Sequence, residues 1–263
     1  MYNLTYVEGY RTPIREEIYV LDIIPLSSGP VTISSDQSLS AFNPAALSQG
    51  PVKSWQTNHG NVTCAKGLDL GGTVVCTAGE DGSVSLWDLR LDGQQAQVAR
   101  LTGKMAGWRG VLCTAITDED EVVIQAFNHD ASIHHAAFLN DTEVYAVSHD
   151  EKLALYDMAE GYEKGAATTD FGDMRQVLGC QYIANVFAKA NGAGAVIGAG
   201  THDQQGFELV HLAKGGNGWA LDRPNSVGLV GAHGSEIVRS FCFYDEAGVV
   251  FTAGEDGFIK AWR

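Results

Sequence analysis

Residues 77–88 read TAGEDGSVSLWD, and residues 252–263 read TAGEDGFIKAWR. The two distant segments share the frame T-A-G-E-D-G-x-[VI]-x-x-W, a match too long for chance, so the chain repeats itself. Inside the frame, Asp-Gly between alternating apolar residues signals a tight hairpin. Gly accepts positive φ without steric cost, and Asp bonds its own backbone. Weaker copies appear at 32–43 (TISSDQSLSAFN) and 146–157 (AVSHDEKLALYD), and a fifth candidate with a longer turn lies at 195–212 (AVIGAGTHDQQGFELVHL). The turn Asp precedes an aromatic residue by a constant six positions at Asp36–Phe42, Asp81–Trp87, Asp150–Tyr156 and Asp256–Trp262.

An apolar run precedes each hairpin: EIYVLDIIP at 17–25, NVTCAKGLD at 61–69, SIHHAAFL at 132–139, CQYIANVFA at 180–188 and IVRSFCFY at 237–244. The repeating unit is therefore an inner strand, a strand, the Asp turn, a strand and an outer strand. Four-stranded antiparallel sheets repeated this way are the blades of a β-propeller, so the predicted class is all-β.

On these residues the chain resembles the WD-repeat family, which is typically seven-bladed. The resemblance implies a buried hydrogen-bond chain in each blade from a His before the inner strand, a Thr or Ser four residues before the turn Asp, the Asp itself and the Trp. Two blades carry the whole set: His59, Thr77, Asp81 and Trp87, and His233, Thr252, Asp256 and Trp262. Elsewhere Ala146 stands where the hydroxyl is expected, and Phe42 and Tyr156 replace Trp. The tracts 231–262 and 132–158, the second with its SHDE turn, resemble blades of the subgroup related to WD repeat-containing protein 89. That resemblance covers most of residues 17–262.

Seven blades of roughly 40–45 residues need about 300, and the chain has 263. The shortfall falls in 94–127, which has no Asp-Gly turn and no Trp-Asp strand end. The expectation is a single domain over 1–263 with about five to six recognisable blades, and a compressed or missing blade around 100–112 whose remnant packs poorly. Because the chain ends just after a Trp-terminated strand, NLTYVEGY at 3–10 is the expected donor of the last blade's outer strand.

Composition narrows the function. With 17 basic against 32 acidic residues the formal charge is −15, which argues against direct nucleic-acid contact and favours a basic protein partner by steering. The five cysteines (Cys64, Cys76, Cys113, Cys180 and Cys242) are odd in number, scattered and without a CxxC pair. They read as small buried hydrophobes in a reducing compartment, the cytoplasm and/or nucleus, with no zinc site expected. No stretch approaches the length of a membrane helix.

Other motifs have plain readings. GAGAVIGAG at 192–200 is followed by strand-like sequence where a dinucleotide loop needs a helix. His134 and His135 are adjacent, so in a regular strand they point to opposite faces and cannot share an ion, while turn chemistry accounts for His129, His149 and His202. Ser148-His149-Asp150 is consecutive and cannot form a triad. No catalytic residue, metal or cofactor is therefore expected. Trp55, Trp108, Arg109 and Trp219 lie outside the repeat frame, as partner-binding hot spots or as loop caps. The functional expectation is a monomeric protein-interaction scaffold, with a chaperone or adaptor for a basic client, such as a ribosomal or nuclear protein, as the alternative.

Overall fold

The computed structural model describes residues 2–13, 17–68, 72–102, 125–159, 165–189, 192, 194–216 and 218–263. From residue 103 onward the expected compressed blade lies outside the described residues, and so do Trp108 and Arg109.

Among the described residues, twenty-one strands account for nearly all regular structure. β1 (Tyr2–Asn3) and β2 (Tyr6–Arg11) come first. Two sheets follow: β3 (Val20–Leu26), β4 (Gly29–Ser34), β5 (Ser38–Phe42) and β6 (Pro51–Gln56), then β7 (Val62–Gly67), β8 (Val74–Gly79), β9 (Ser83–Asp88) and β10 (Gln97–Thr102). A third holds β11 (Ile133–Phe138), β12 (Glu143–Ser148), β13 (Lys152–Asp157) and β14 (Thr169–Asp173). The short helix α1 (Met174–Leu178) leads to β15 (Tyr182–Ala188), β16 (Gly194–Thr201), β17 (Gly206–Gly215) and β18 (Gly218–Val230). β19 (Val238–Tyr244), β20 (Val249–Gly254) and β21 (Phe258–Trp262) close the series.

Each group is an antiparallel meander, giving five blade-like sheets among the described residues. The last borrows β2, in the order β19-β20-β21-β2, with Tyr6 opposite Trp262. The donated strand is thus Tyr6–Arg11, slightly later than the expected 3–10, because Tyr2–Asn3 pairs instead with Val227–Gly228 as a parallel fifth strand on β18.

The chain divides into two compact units. Residues 4–113 and 231–263 form one, with three sheets; residues 1–3 and 114–230 form the other, with two. In the first unit, Ile33, Leu39, Val75 and Trp87 from successive sheets share one buried cluster. In the second, Val147, Leu153, Ile197 and Leu212 do the same. Neighbouring sheets therefore share a core, and truncating one of these side chains to Ala is expected to cost about 2–5 kcal/mol.

The turns follow the sequence frame. The residue after the turn Asp has positive φ in four blades: Gln37 (70°), Gly82 (70°), Glu151 (60°) and Gly257 (74°). Glycine meets that requirement freely in the two complete repeats, while Gln37 and Glu151 adopt it against their intrinsic preference.

Candidate functional site: blade networks and bulged inner strands

In the blade of β7–β10, His59 Nε2 lies 2.9 Å from the Thr77 hydroxyl, which accepts from Trp87 Nε1 at 2.8 Å. His59 Nδ1 lies 3.1 Å from Asp81 Oδ1. In the blade of β19–β21 the same distances are 2.8 Å for His233–Thr252, 2.9 Å for Trp262–Thr252 and 2.6 Å for His233–Asp256. One proton arrangement serves all four groups: the indole donates to the Thr oxygen, the Thr hydroxyl to Nε2, and Nδ1–H to the carboxylate. Burial works to raise Asp81, but bonds from Ser83 and from His59 hold its carboxyl down at about 2. Asp256 is likewise held below the usual carboxylate range despite its burial, by His233 and Lys260. Burial outweighs Asp256 at His233, whose imidazole is held low and neutral.

The glycine of T-A-G-E-D has a steric reason. A Cβ on Gly79 would lie 2.3 Å from the His59 Cβ, and one on Gly254 would lie 2.6 Å from His233 Nδ1. The imidazole occupies the space a side chain would need.

The blade of β11–β14 solves the problem differently. His129 is buried, and its Nδ1 lies 2.8 Å from the Tyr156 hydroxyl, which donates to the Asn128 carbonyl. This corrects the reading of His129 as a turn residue. It stands 21 positions before Asp150, close to the 22 of His59–Asp81, so spacing would have found it. Ala146 offers no hydroxyl, Ser148 fills the place of the frame's glycine, and His129 Nε2 has no hydrogen-bond partner.

A second regularity escaped sequence reading. Each of the five inner strands carries a β-bulge just after its first paired residues. The extra residue is Leu21, Thr63, His134, Ala184 or Arg239, placed near the Asp turn. Arg239 bonds Glu255, the residue before the turn Asp, and His134 packs on His149, at the equivalent place, with ring centroids 4.9 Å apart. The bulge also corrects the expected strand geometry of His134 and His135: a regular pleat would separate them, but their rings lie 4.1 Å apart. Hydrophobic patterning carries no signal for a bulge, because it adds one residue without changing the apolar run.

Of the tryptophans outside the frame, Trp55 and Trp219 are described, and both lie in strands. Trp55 is 5% exposed in the core beneath β6. Trp219 is 8% exposed on β18, and its Nε1 donates to Glu143 Oε1 at 2.7 Å. The apolar bodies of both are buried and serve packing.

The fold and the repeat networks define a β-propeller of four-stranded blades that carries WD repeats. The family model for the WD domain, G-beta repeat, matches residues 50–88 and 225–263, the stretches that hold the two complete networks. An uncharacterized WD repeat-containing protein of Saccharomyces cerevisiae is 23% identical over 81% of this chain and 49% of its own length, so the chain spans about half of that relative. Another from Schizosaccharomyces pombe is 23% identical over 90% of this chain and 80% of its own length. Among solved structures, the β-propeller domain of Cps50 (Swd1) from Myceliophteria thermophila is similar, with a TM-score of 0.63, 13% identity, and coverage of 98% of this chain and 99% of that one.

Proposed function

We propose that this chain is a non-catalytic protein-docking scaffold whose contact surface is the turn end of the inner strands. The repeated bulge carries the reading. A bulge sacrifices ladder pairing, and its recurrence at the same position in each of five inner strands re-aims one side chain in every blade. Thr63 is exposed, and Leu21, His134 and Arg239 are half-buried, so four of the five reach the surface. Their chemistry differs from blade to blade while the frame beneath repeats, as a partner-specific surface on a common scaffold requires.

The test is affinity capture from the native cell, followed by mass spectrometry, with wild type and a Thr63→Arg/Arg239→Asp double variant. Loss of the main partners with an unchanged thermal transition supports the reading; an unchanged partner set overturns it.

A basic client is favoured by one further observation. Glu17, Glu255 and Glu236 all push the Tyr19 hydroxyl upward, Glu17 most, so the turn end of that unit holds a negative potential around an aromatic ring. Capture that survives low salt and fails at high salt supports a chaperone or adaptor for a basic protein. The wider reading is a single domain over 1–263, monomeric by itself, acting in the cytoplasm and/or nucleus without direct nucleic-acid contact. It belongs with the subgroup related to WD repeat-containing protein 89. The free thiols of Cys180 and Cys242 fit a reducing compartment.

A further inference from the structure

Four of the eight histidines, His129, His134, His135 and His149, fall within one blade. They form two groups with different exposure. His129 is buried, bonded to Tyr156 through Nδ1 alone, with Nε2 unpartnered. Around it, the Lys152 ammonium on β13 opposes a second positive charge while the Lys152 backbone favours one, and Asp170 on β14 and Asp130 favour one from a distance. At the bulge, His134 lies between His135 and His149, at 4.1 and 4.9 Å. Asp150 stands exposed on the adjoining turn, and Glu151 is already committed to the Ile183 N–H and neighbours the Arg175–Asp173 pair.

We propose that the β11–β14 sheet is a proton-sensitive element that opens on mild acidification before the sheets holding His59 and His233 do. Protonating His129 puts a charge in a buried site with no carboxylate in contact, and protonating two of the bulge imidazoles sets like charges within stacking distance. His59 and His233 instead have the Asp81 and Asp256 carboxylates at 3.1 and 2.6 Å, whose negative charge offsets that of a protonated ring.

The sign follows from His129. Burial holds its folded-state affinity for a proton below that of a free imidazole. Stability is therefore complete above about pH 6.5 and falls as the pH drops below that value. Burial also lowers His233, but there the Asp256 carboxylate stands in hydrogen-bond contact and opposes the shift.

The experiment is hydrogen–deuterium exchange on the full chain between about pH 7.5 and 5.5, corrected for intrinsic exchange rates. Segments 133–138 and 143–148 are expected to lose protection about tenfold before 74–79 and 249–254 do. Two variants keep the test independent of folding defects. His134→Gln/His149→Gln removes two of the bulge imidazoles, and Ala146→Thr returns the frame's hydroxyl to the His129 blade. Each is expected to lower the opening midpoint by about 0.5 pH units. Simultaneous opening of all the sheets, or an unmoved midpoint in both variants, overturns the proposal.

Discussion

The blade of β7–β10 and the blade of β11–β14 share one backbone plan and satisfy their buried polar groups in opposite ways. The first closes its network internally: Trp87, Thr77, His59 and Asp81 are all its own, and Arg100 of its outer strand adds a bond to Asp81. The second places a His129–Tyr156 contact where the first has its four-residue network, and it also leans on the next sheet. Tyr145 donates to the Val186 carbonyl at 2.8 Å, Glu151 accepts from Ile183 N–H, and Glu143 accepts from Trp219 and Lys214. A blade lacking the frame's hydroxyl and indole is held by its neighbour. The complete repeat is stable by composition, the partial one by context.

The largest effect is expected where one hydroxyl serves two partners. Thr77→Val keeps the shape and removes the acceptor of Trp87 and the partner of His59, leaving two buried nitrogens unsatisfied. The expected loss is about 2–4 kcal/mol by denaturant unfolding, with Thr77→Ser recovering most of it. A loss equal to that of an ordinary buried methyl change would mean the network contributes packing alone.

The external anchor comes next. Glu143→Ala strips the carboxylate from Trp219 Nε1 and Lys214 Nζ, and about 2–3 kcal/mol is expected. Burial works to raise Glu143, yet its bonds from Lys214, Trp219 and Asn140 hold it below the usual range. Its contribution is thus present above the unfolded carboxylate's value of about 4.3 and disappears as the pH falls through the lower folded value. If the variant lost protection only within β12, and β17–β18 stayed as in wild type, the idea that one sheet supports the other would be broken. Tyr156→Phe is milder: it orphans His129 Nδ1 and is expected to cost about 1–2 kcal/mol, read by the same unfolding curves.

The sequence is most readable where each residue acts locally. The Asp turns, the strand alternation and the two four-residue networks follow from short spacings such as Thr77–Asp81–Trp87, because a hairpin fixes the geometry of residues ten positions apart. The outer strand supplied by the N-terminal segment was legible from a missing partner rather than from a motif. What escaped was set by tertiary context. Trp219 reads as a loop tip until β17 and β18 extend their pairing to Gly215 and Gly218 and carry it over Glu143. The bulges at Thr63, His134 and Arg239 leave no trace in hydrophobicity, since two residues opposing one is a property of the pair of strands. His129 was hidden by its altered partner: a search for the Thr hydroxyl passes over a blade in which a Tyr hydroxyl has taken the bond.

That substitution yields the smallest and most discriminating effect. Ala146 stands ten residues before Tyr156, as Thr77 stands before Trp87, so Ala146→Thr returns the hydroxyl to its place in the frame. The gain is expected to be about 0.5–1 kcal/mol, one buried hydrogen bond offset by the crowding of an added side chain at a fully buried position. A double-mutant cycle with Tyr156→Phe separates the two solutions. If the Thr hydroxyl and the Tyr hydroxyl are alternative partners for one imidazole, Tyr156→Phe costs less in the Ala146→Thr background than in wild type, by roughly 0.5 kcal/mol or more. Additive costs would show that His129 uses its two nitrogens independently. The partial blade would then be a complete network with one member missing, not a different network.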